Sequence, residues 1–411
     1  RSTSFVERSL QASASDFQSD GIEGLNNERK IMKAHIYWVL AIILFACACS
    51  NSPRQGQEEK VYQVNLDKKV NPLKTIFSHA EIIPLETQDS SLIIWMHKVY
   101  PVNDKFYVHD QWQHKLFVFG QNGQYQRRIS RYGQGAGEYI SMYDCVVDAP
   151  HDNIYMLSIF GRIKRYDLNG NFKDEVELPA RPNYYCMELL DDNHVATWSC
   201  LEPQDGGVLV VNKTTGDSLR SDWHDDRMFD NLNHEKALFR YSGKTYFATA
   251  LRQQVYEVTT SGLKPAYLWN FGKDNIRESR LEYYLSIENS NDRNNEIIDD
   301  IGTEGLPFIL DKQAQNKTYS YLALQRETGM RPQMSHVFYH KEKEKALVFD
   351  FLNGKDCKMN PPLYFGDDYL LTDVLYDDRE TFQSILPKEE YQKLENMLED
   401  DNPCLLKLYF K

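Results

Sequence analysis

The stretch at 104–139 reads DKFYVHDQWQHKLFVFGQNGQYQRRISRYGQGAGEY and holds three short runs of strand character separated by turn residues. The first, FYVHD at 106–110, gives way to the polar loop Gln111-Trp112-Gln113-His114. The second, LFVF at 116–119, leads into Gln121-Asn122-Gly123. Asn-Gly supplies two positions tolerant of positive φ, as a tight hairpin turn requires. The third, YQRRI at 125–129, ends in the loop Gly133-Gln134-Gly135-Ala136-Gly137. Three antiparallel strands are therefore expected within one short stretch.

The pattern recurs, and the turn glycine measures its period. Gly123 closes QNG, Gly170 closes LNG, Gly216 closes TTG and Gly262 closes TSG, at intervals of 47, 46 and 46 residues. Each turn follows a strand-like run (KLFVF, RIKRY, GVLVV, QVYEV) and precedes another (YQRRI, FKDEVEL, DSLRSDW, KPAYLW). A still earlier run stands before each set: KFYVHD, NIYMLS, HVATWS and TYFATA. A constant period of this size, carrying four short strands, predicts the blades of a β-propeller. The cause is burial. A four-stranded sheet has two apolar faces and no helix to cover them, so it stacks against copies of itself, and a closed ring leaves only short edges.

Along the chain, four blades are expected between Trp95 and Gly272, after which the rhythm breaks. Residues 273–300 read as a charged, Asn-rich insertion, with a helix near 279–288 where Leu281, Tyr284 and Leu285 share a face. LPFIL, TYSYLALQ, HVFYH and ALVFDF form a fifth blade, and LYFGDDYLLTDVLY with the C-terminal CLLKLYF contributes a sixth. A second helix is expected over 387–400, with Pro387 at its start and Tyr391, Leu394, Met397 and Leu398 on one face. The fold class is thus all-β, a six-bladed propeller over 61–411. Either VYQVNL (61–66) or EIIPLE (81–86) should pair with the run at 404–410 and latch the ring.

The N-terminal text differs. Residues 1–31 are polar and aperiodic, whereas 36–48 is an uncharged apolar segment behind Lys33. It is too short to span a bilayer but suits the core of an export signal. Its end resembles a bacterial lipoprotein signal, in which a cysteine after a small residue is lipidated. Cys47, within Leu44-Phe45-Ala46-Cys47, and Cys49, which opens the polar run at 50–60, compete for that role. The organisation expected is an upstream extension (1–31), a signal peptide (32–48), a flexible tether (49–60) and the propeller (61–411). The partner expected at this end is a membrane, reached through the lipid.

The formal charge is −13, and residues 1–48 carry five basic and five acidic side chains, so the whole imbalance sits on the rest of the chain. Without a basic stripe, nucleic acid is excluded as a partner class. Five cysteines lie beyond the signal, Cys145, Cys186, Cys200, Cys357 and Cys404, with no CxxC spacing. They read as small buried apolar residues, with a Cys186–Cys200 bridge as the alternative in an oxidising compartment.

ETQDSSLI (86–93), FYVHD (106–110) and the run at 116–139 resemble a large family of six-bladed, NHL-like β-propeller lipoproteins of Gram-negative bacteria. Its Ile-Pro-Leu-Glu-Thr opening is matched by Ile83-Pro84-Leu85-Glu86-Thr87, and its Gly-x-Gly-x-Gly-Glu-Tyr loop by Gly133, Gly135, Gly137, Glu138 and Tyr139. The resemblance covers roughly 81–411 and weakens in the later blades. It implies a fold and an envelope location, with the outer membrane as the expected anchorage, far more than an activity.

Three groups of residues invite a chemical reading. The Gly-rich loop lacks the following helix of a dinucleotide fingerprint, so its glycines are expected to serve backbone freedom in an interblade crossing. His97, His109, His114, His151 and His194 do not recur at equivalent repeat positions and form no HxxxH or HExxH pair, so no metal or other cofactor is expected. They read as solvated loop residues. Among Trp95, Trp112, Trp198, Trp223 and Trp269, packing between blades is the plainer role, but Trp112, flanked by Gln111 and Gln113, suits an exposed platform for a glycan or peptide. The candidate ligand-binding residues are accordingly Trp112, His109 and His114. The function expected is a non-catalytic binding or scaffolding propeller at the envelope, serving nutrient capture. The alternative is an NHL-like lyase or lactonase with a metal in the central channel.

Overall fold

A computed structural model describes residues 60–158, 160–179, 183–199, 207–222, 236–303, 309–325 and 332–411. The expected extension, signal, lipidation candidates Cys47 and Cys49, and the tether up to residue 59 lie outside the described residues, as do Cys200 and Trp223.

The described chain forms six antiparallel sheets arranged in a ring, a six-bladed β-propeller. Blade 1 comprises Met96–Val102, Lys105–Asp110, Lys115–Gly120 and Tyr125–Ile129. Blade 2 runs from Asp144–Asp148 to Phe172–Glu177, blade 3 from Tyr184–Leu189 to Ser218–Asp222, and blade 4 from Leu238–Tyr241 to Gly262–Asn270. Blade 5 runs from Ile309–Gln315 to Lys345–Phe349. Blade 6 joins Tyr364–Phe365, Tyr369–Val374 and Cys404–Phe410 to Phe77–Ile83 from the other end of the chain.

That last pairing is the latch. Glu81, Ile82 and Ile83 lie opposite Lys407, Leu406 and Leu405. Of the two runs proposed from sequence for this role, the later one fills it. The earlier one is corrected: Val61–Gln63 pairs in parallel with Leu268–Asn270 as a fifth strand on blade 4. From there the segment crosses blade 5, where Val70 N donates to Val348 O (2.8 Å) and Lys69 pairs with Asp350 at 2.5 Å, before entering blade 6. It thus covers outer sheet edges that would otherwise present unpaired backbone groups.

Burial explains closure. Leu116, Val118, Ile154 and Met156 pack between blades 1 and 2. Tyr155, Leu157, Leu209 and Val211 do so between 2 and 3, and Trp198, Val208, Leu238 and Phe247 between 3 and 4. Trp269, Val255, Leu322 and Val337 fill the next interface, and Phe338, Phe349, Leu370 and Leu408 the one after. Phe117, Phe119, Leu371 and Leu405 complete the circle between blades 6 and 1. Six blades with six apolar interfaces leave no open side.

The insertion after blade 4 holds two helices, Glu278–Ser286 and Ser290–Thr303, the second not foreseen from sequence. Leu281, Tyr284, Ile297 and Ile301 bury against Ala250, Leu251 and Ile309. The C-terminal helix is shorter than expected, Lys388–Glu395. Leu394 and Met397 are buried, but Leu398 lies past the last helical turn and is exposed, correcting its assignment to the packed face.

Candidate functional site

The two faces of the ring differ. Turns joining first to second and third to fourth strands emerge on one face and are tight, as at Asn103-Asp104 and 121–124. The opposite face carries the interblade loops and the links between second and third strands, including 84–95, 130–143, 271–303 and 375–403. Long loops on a rigid scaffold are where function concentrates.

On that face blade 1 presents an aromatic platform. Asp110, fully buried, organises it: Oδ2 accepts from Ile94 N and from Gln113 Nε2 (both 2.7 Å), and Oδ1 accepts from Gln113 N (3.0 Å). Gln113 Nε2 also donates to Leu92 O (2.7 Å), and Gln111 Nε2 to Tyr143 O (3.0 Å). These bonds fasten 92–95 and 111–114 to each other and to the next interblade loop. Trp112 is left 70% exposed and Trp95 49%, their rings stacked with centroids 6.3 Å apart and planes 24° from parallel. Leu92, Ile94, Tyr132, Ile140 and Phe160 are further exposed apolar residues in loops of this face, all from blades 1 and 2 or the loops entering them.

The other candidates separate from Trp112. His114 is half-buried, with φ +54°, and serves the loop: Nδ1 bonds Met142 O (3.1 Å) and its carbonyl accepts from Tyr139 OH (2.9 Å). His109 is fully buried on the second strand of blade 1, which corrects the reading of it as a solvated loop residue beside Trp112. Neither of its ring nitrogens makes a hydrogen bond, and burial, reinforced by the charge of Lys98, lowers it to about 3. Its ring meets that of buried His97 edge-on at 5.6 Å. Trp198 and Trp269 are core residues, and Cys186 is a free buried thiol. Among the described residues, no group of three or more His, Cys, Asp or Glu side chains is placed to hold a metal.

The Gly-rich loop is filled by its own acid. Glu138 Oε2 accepts from Gly135 N (2.8 Å), and a Cβ on Gly133 would meet that oxygen at 2.0 Å. Only Gly137 of the three adopts a positive φ, so Gly133 serves to make room for the carboxylate, a correction to the expectation of backbone freedom throughout.

Behind the platform runs the channel. A cavity of about 390 Å³ touches the first strand of every blade. Its charged lining includes Lys98, Glu188, Lys236, Arg240 and Lys312. Lys98 Nζ donates to both oxygens of Asp144 (2.6 and 2.8 Å), whose carboxylate also accepts from Cys145 N and Met187 N. Burial opposes the charge of Lys98, but Asp144, with Glu188 behind it, more than offsets this and holds the ammonium above its ordinary range. Lys236 Nζ likewise donates to both oxygens of Asp311 (2.7 and 2.8 Å). Burial raises the Glu188 carboxyl despite Lys98 nearby. Sequence reasoning missed this lining because no motif marks it.

Fold and site together define a closed six-bladed propeller with one loop-bearing face and a polar channel. A family model described as a domain of unknown function, DUF4934, matches residues 61–409, and the chain belongs to that family. No curated protein matches it. A crystal structure of a Bacteroides fragilis protein assigned as exported is similar at TM-score 0.70 and 17% identity, covering 86% of this chain and 100% of that one. A DUF4221 family member from Bacteroides vulgatus is similar at TM-score 0.50 and 11% identity, covering 82% and 97%. At these identities the likeness concerns the fold.

Proposed function

We propose that this protein is a non-catalytic binding propeller of the bacterial envelope that captures a peptide or protein segment on its loop-bearing face. The observation carrying this reading is the Trp95–Trp112 pair, exposed yet fixed from beneath by Asp110. Large apolar side chains held rigidly at a surface lose little entropy on binding, and Trp is enriched among residues that dominate interface energies. The exposed Leu92 and Ile94 beside the pair favour a peptide over a sugar, since contiguous apolar surface marks protein contact. Residues 32–48 support export, and the Bacteroides fragilis protein of similar fold is assigned as exported. Lipidation at Cys49 or Cys47 would tether the ring to a membrane, and mass spectrometry of the native N-terminal peptide tests it.

Binding is tested with peptide and glycan arrays probed by wild type and Trp112→Ala. Peptide hits that weaken by about 2 kcal/mol or more in the variant, with an unchanged melting temperature, support the reading. Hits confined to glycans assign the platform to carbohydrate instead. Peptide hits unaffected by the substitution remove the platform from the site.

A further inference from the structure

Among the described residues, two cations of the channel wall, Lys312 and Arg240, have no side-chain hydrogen bond or ion pair, and of these Lys312 is the less exposed. Lys98 and Lys236 each hold a carboxylate of their own, Asp144 and Asp311, in two-oxygen contacts. Lys312, on the first strand of blade 5 and in the wall of the same cavity, has no side-chain hydrogen bond or ion pair among the described residues. Its neighbours make this costly. Lys236 and Lys98 repel its charge, whereas Asp311 and Asp373 attract it only in part, the first already engaged by Lys236 and the second by Asn360 Nδ2 (3.1 Å). Glu188, Arg240, His97, Tyr100, Tyr241 and Tyr364 complete the charged and titratable lining; Glu188 Oε1 accepts from Leu189 N (2.9 Å), burial raises the three tyrosines above their ordinary range, and His97 stays neutral through burial. Burial first, and then the two lysines, bring Lys312 from the ordinary lysine range down to about 7. An unpaired, half-buried ammonium is a liability to folding that a closed ring of this kind could remove with any apolar residue. Its placement at a cavity large enough for a small organic molecule gives it a use.

We infer that the central channel is a second binding site, separate from the tryptophan platform, in which Lys312 receives the carboxylate of a small organic acid. The cavity also touches Tyr241, Ser242 and Gly243, the turn between the first two strands of blade 4, so entry is from the face opposite the platform. Tyr241, Tyr364 and Phe365 line that end and offer ring surface to the body of the molecule, while the anionic head reaches Lys312. A bound carboxylate supplies the missing counter-charge and restores the lysine's proton. Binding above neutral pH therefore takes up a proton, and binding in mild acid does not.

Isothermal titration with acetate, succinate and glucuronate, and with sulfate as the inorganic arm, tests this in buffers of different ionisation enthalpy. Saturable carboxylate binding is expected, with proton uptake approaching one per site at pH 8 and near zero at pH 5.5. Lys312→Met should weaken it roughly tenfold to a hundredfold, the worth of a charge-assisted hydrogen bond, and abolish the proton uptake. Trp112→Ala should leave it unchanged. Lys312→Gln serves as the second variant should the methionine disturb the channel. Absence of saturable binding, or equal binding and proton uptake in both lysine variants, overturns the proposal. Saturation by sulfate alone overturns the carboxylate assignment.

Discussion

A Cβ atom on Gly123 would lie 1.8 Å from the carbonyl oxygen of Pro84. Gly123 also has φ +82°, and its own carbonyl accepts from Glu86 N at 2.9 Å. The turn glycine that sets the repeat period is therefore an interblade contact, where the last strand of one blade ends against the turn of the next. Gly216 repeats the relationship, with Glu177 O at 2.1 Å.

Gly123→Ala should consequently destabilise the ring well beyond the strain of a left-handed alanine. That strain alone is about 1–2 kcal/mol. Gly354 has φ +78° and nothing within 4 Å of its Cβ position, so Gly354→Ala isolates it. Urea melts of the two variants should differ by at least about 1 kcal/mol, with Gly123→Ala the weaker, because Pro84 must move and the bond to Glu86 goes with it. Equal losses would mean that the Pro84 segment adjusts freely.

The glycine ruler was legible because it is local, and so were the second, third and fourth strands of each regular blade, whose apolar runs face neighbouring blades. The first strands were not, since one side of each meets the channel and carries groups such as Lys98, Asp144, Glu188 and Arg240. The candidate site divides the same way. Trp112 announced itself as a tryptophan in a polar loop, but its pairing with Trp95 depends on Asp110 bridging 16 positions, which no periodicity reveals. His109 was misplaced because the alternation of its strand fails: 106–110 are buried on both faces. Ser290–Thr303 was missed because only Ile297 and Ile301 mark its buried side in an otherwise polar segment.

Asp144 joins three blades, accepting from Lys98 of blade 1, Cys145 of its own blade 2 and Met187 of blade 3. Asp144→Ala leaves Lys98 charged and nearly buried with two backbone donors unsatisfied. A loss of about 3–5 kcal/mol is expected from breaking a buried pair on one side. Replacing both partners, as in Lys98→Met with Asp144→Leu, should cost less than Asp144→Ala alone. Chemical denaturation of the three proteins measures it, and a double variant worse than the single would contradict the account.

The three most deeply buried histidines among the described residues make the fold acid-sensitive. His109 and His336 are lowered to about 3 and about 4, and His97 well below its ordinary value, in each case chiefly by burial. A depressed value means that folding favours the neutral form. The stability this contributes is complete above the unfolded value near 6.5 and is lost as pH falls through about 4 and 3. At roughly 1.4 kcal/mol per unit, several kcal/mol should vanish between pH 6.5 and 4. His109→Phe removes one of these groups together with two unsatisfied nitrogens. Its stability should change less than that of wild type between pH 7 and 4.5, and a parallel pH profile would show that His109 opens to solvent before it titrates.

The tryptophans offer the sharpest contrast between scaffold and surface. Trp269 is fully buried between blades 4 and 5, edge-on to Tyr62 and Tyr267, and its Nε1 donates to Gln313 Oε1 at 3.0 Å. Trp269→Ala leaves a large cavity and a buried acceptor without its donor, so about 3–5 kcal/mol of stability should be lost. Trp112 projects from a loop whose shape is held by Asp110, Gln111 and Gln113, none of which relies on the indole. Trp112→Ala should therefore change stability by no more than about 0.5 kcal/mol, as for surface positions in general. Thermal melts of both variants decide the matter. A large loss at Trp112 would mean that its stacking on Trp95 supports the fold, and the platform would then be a structural feature of blade 1 with no ligand to explain.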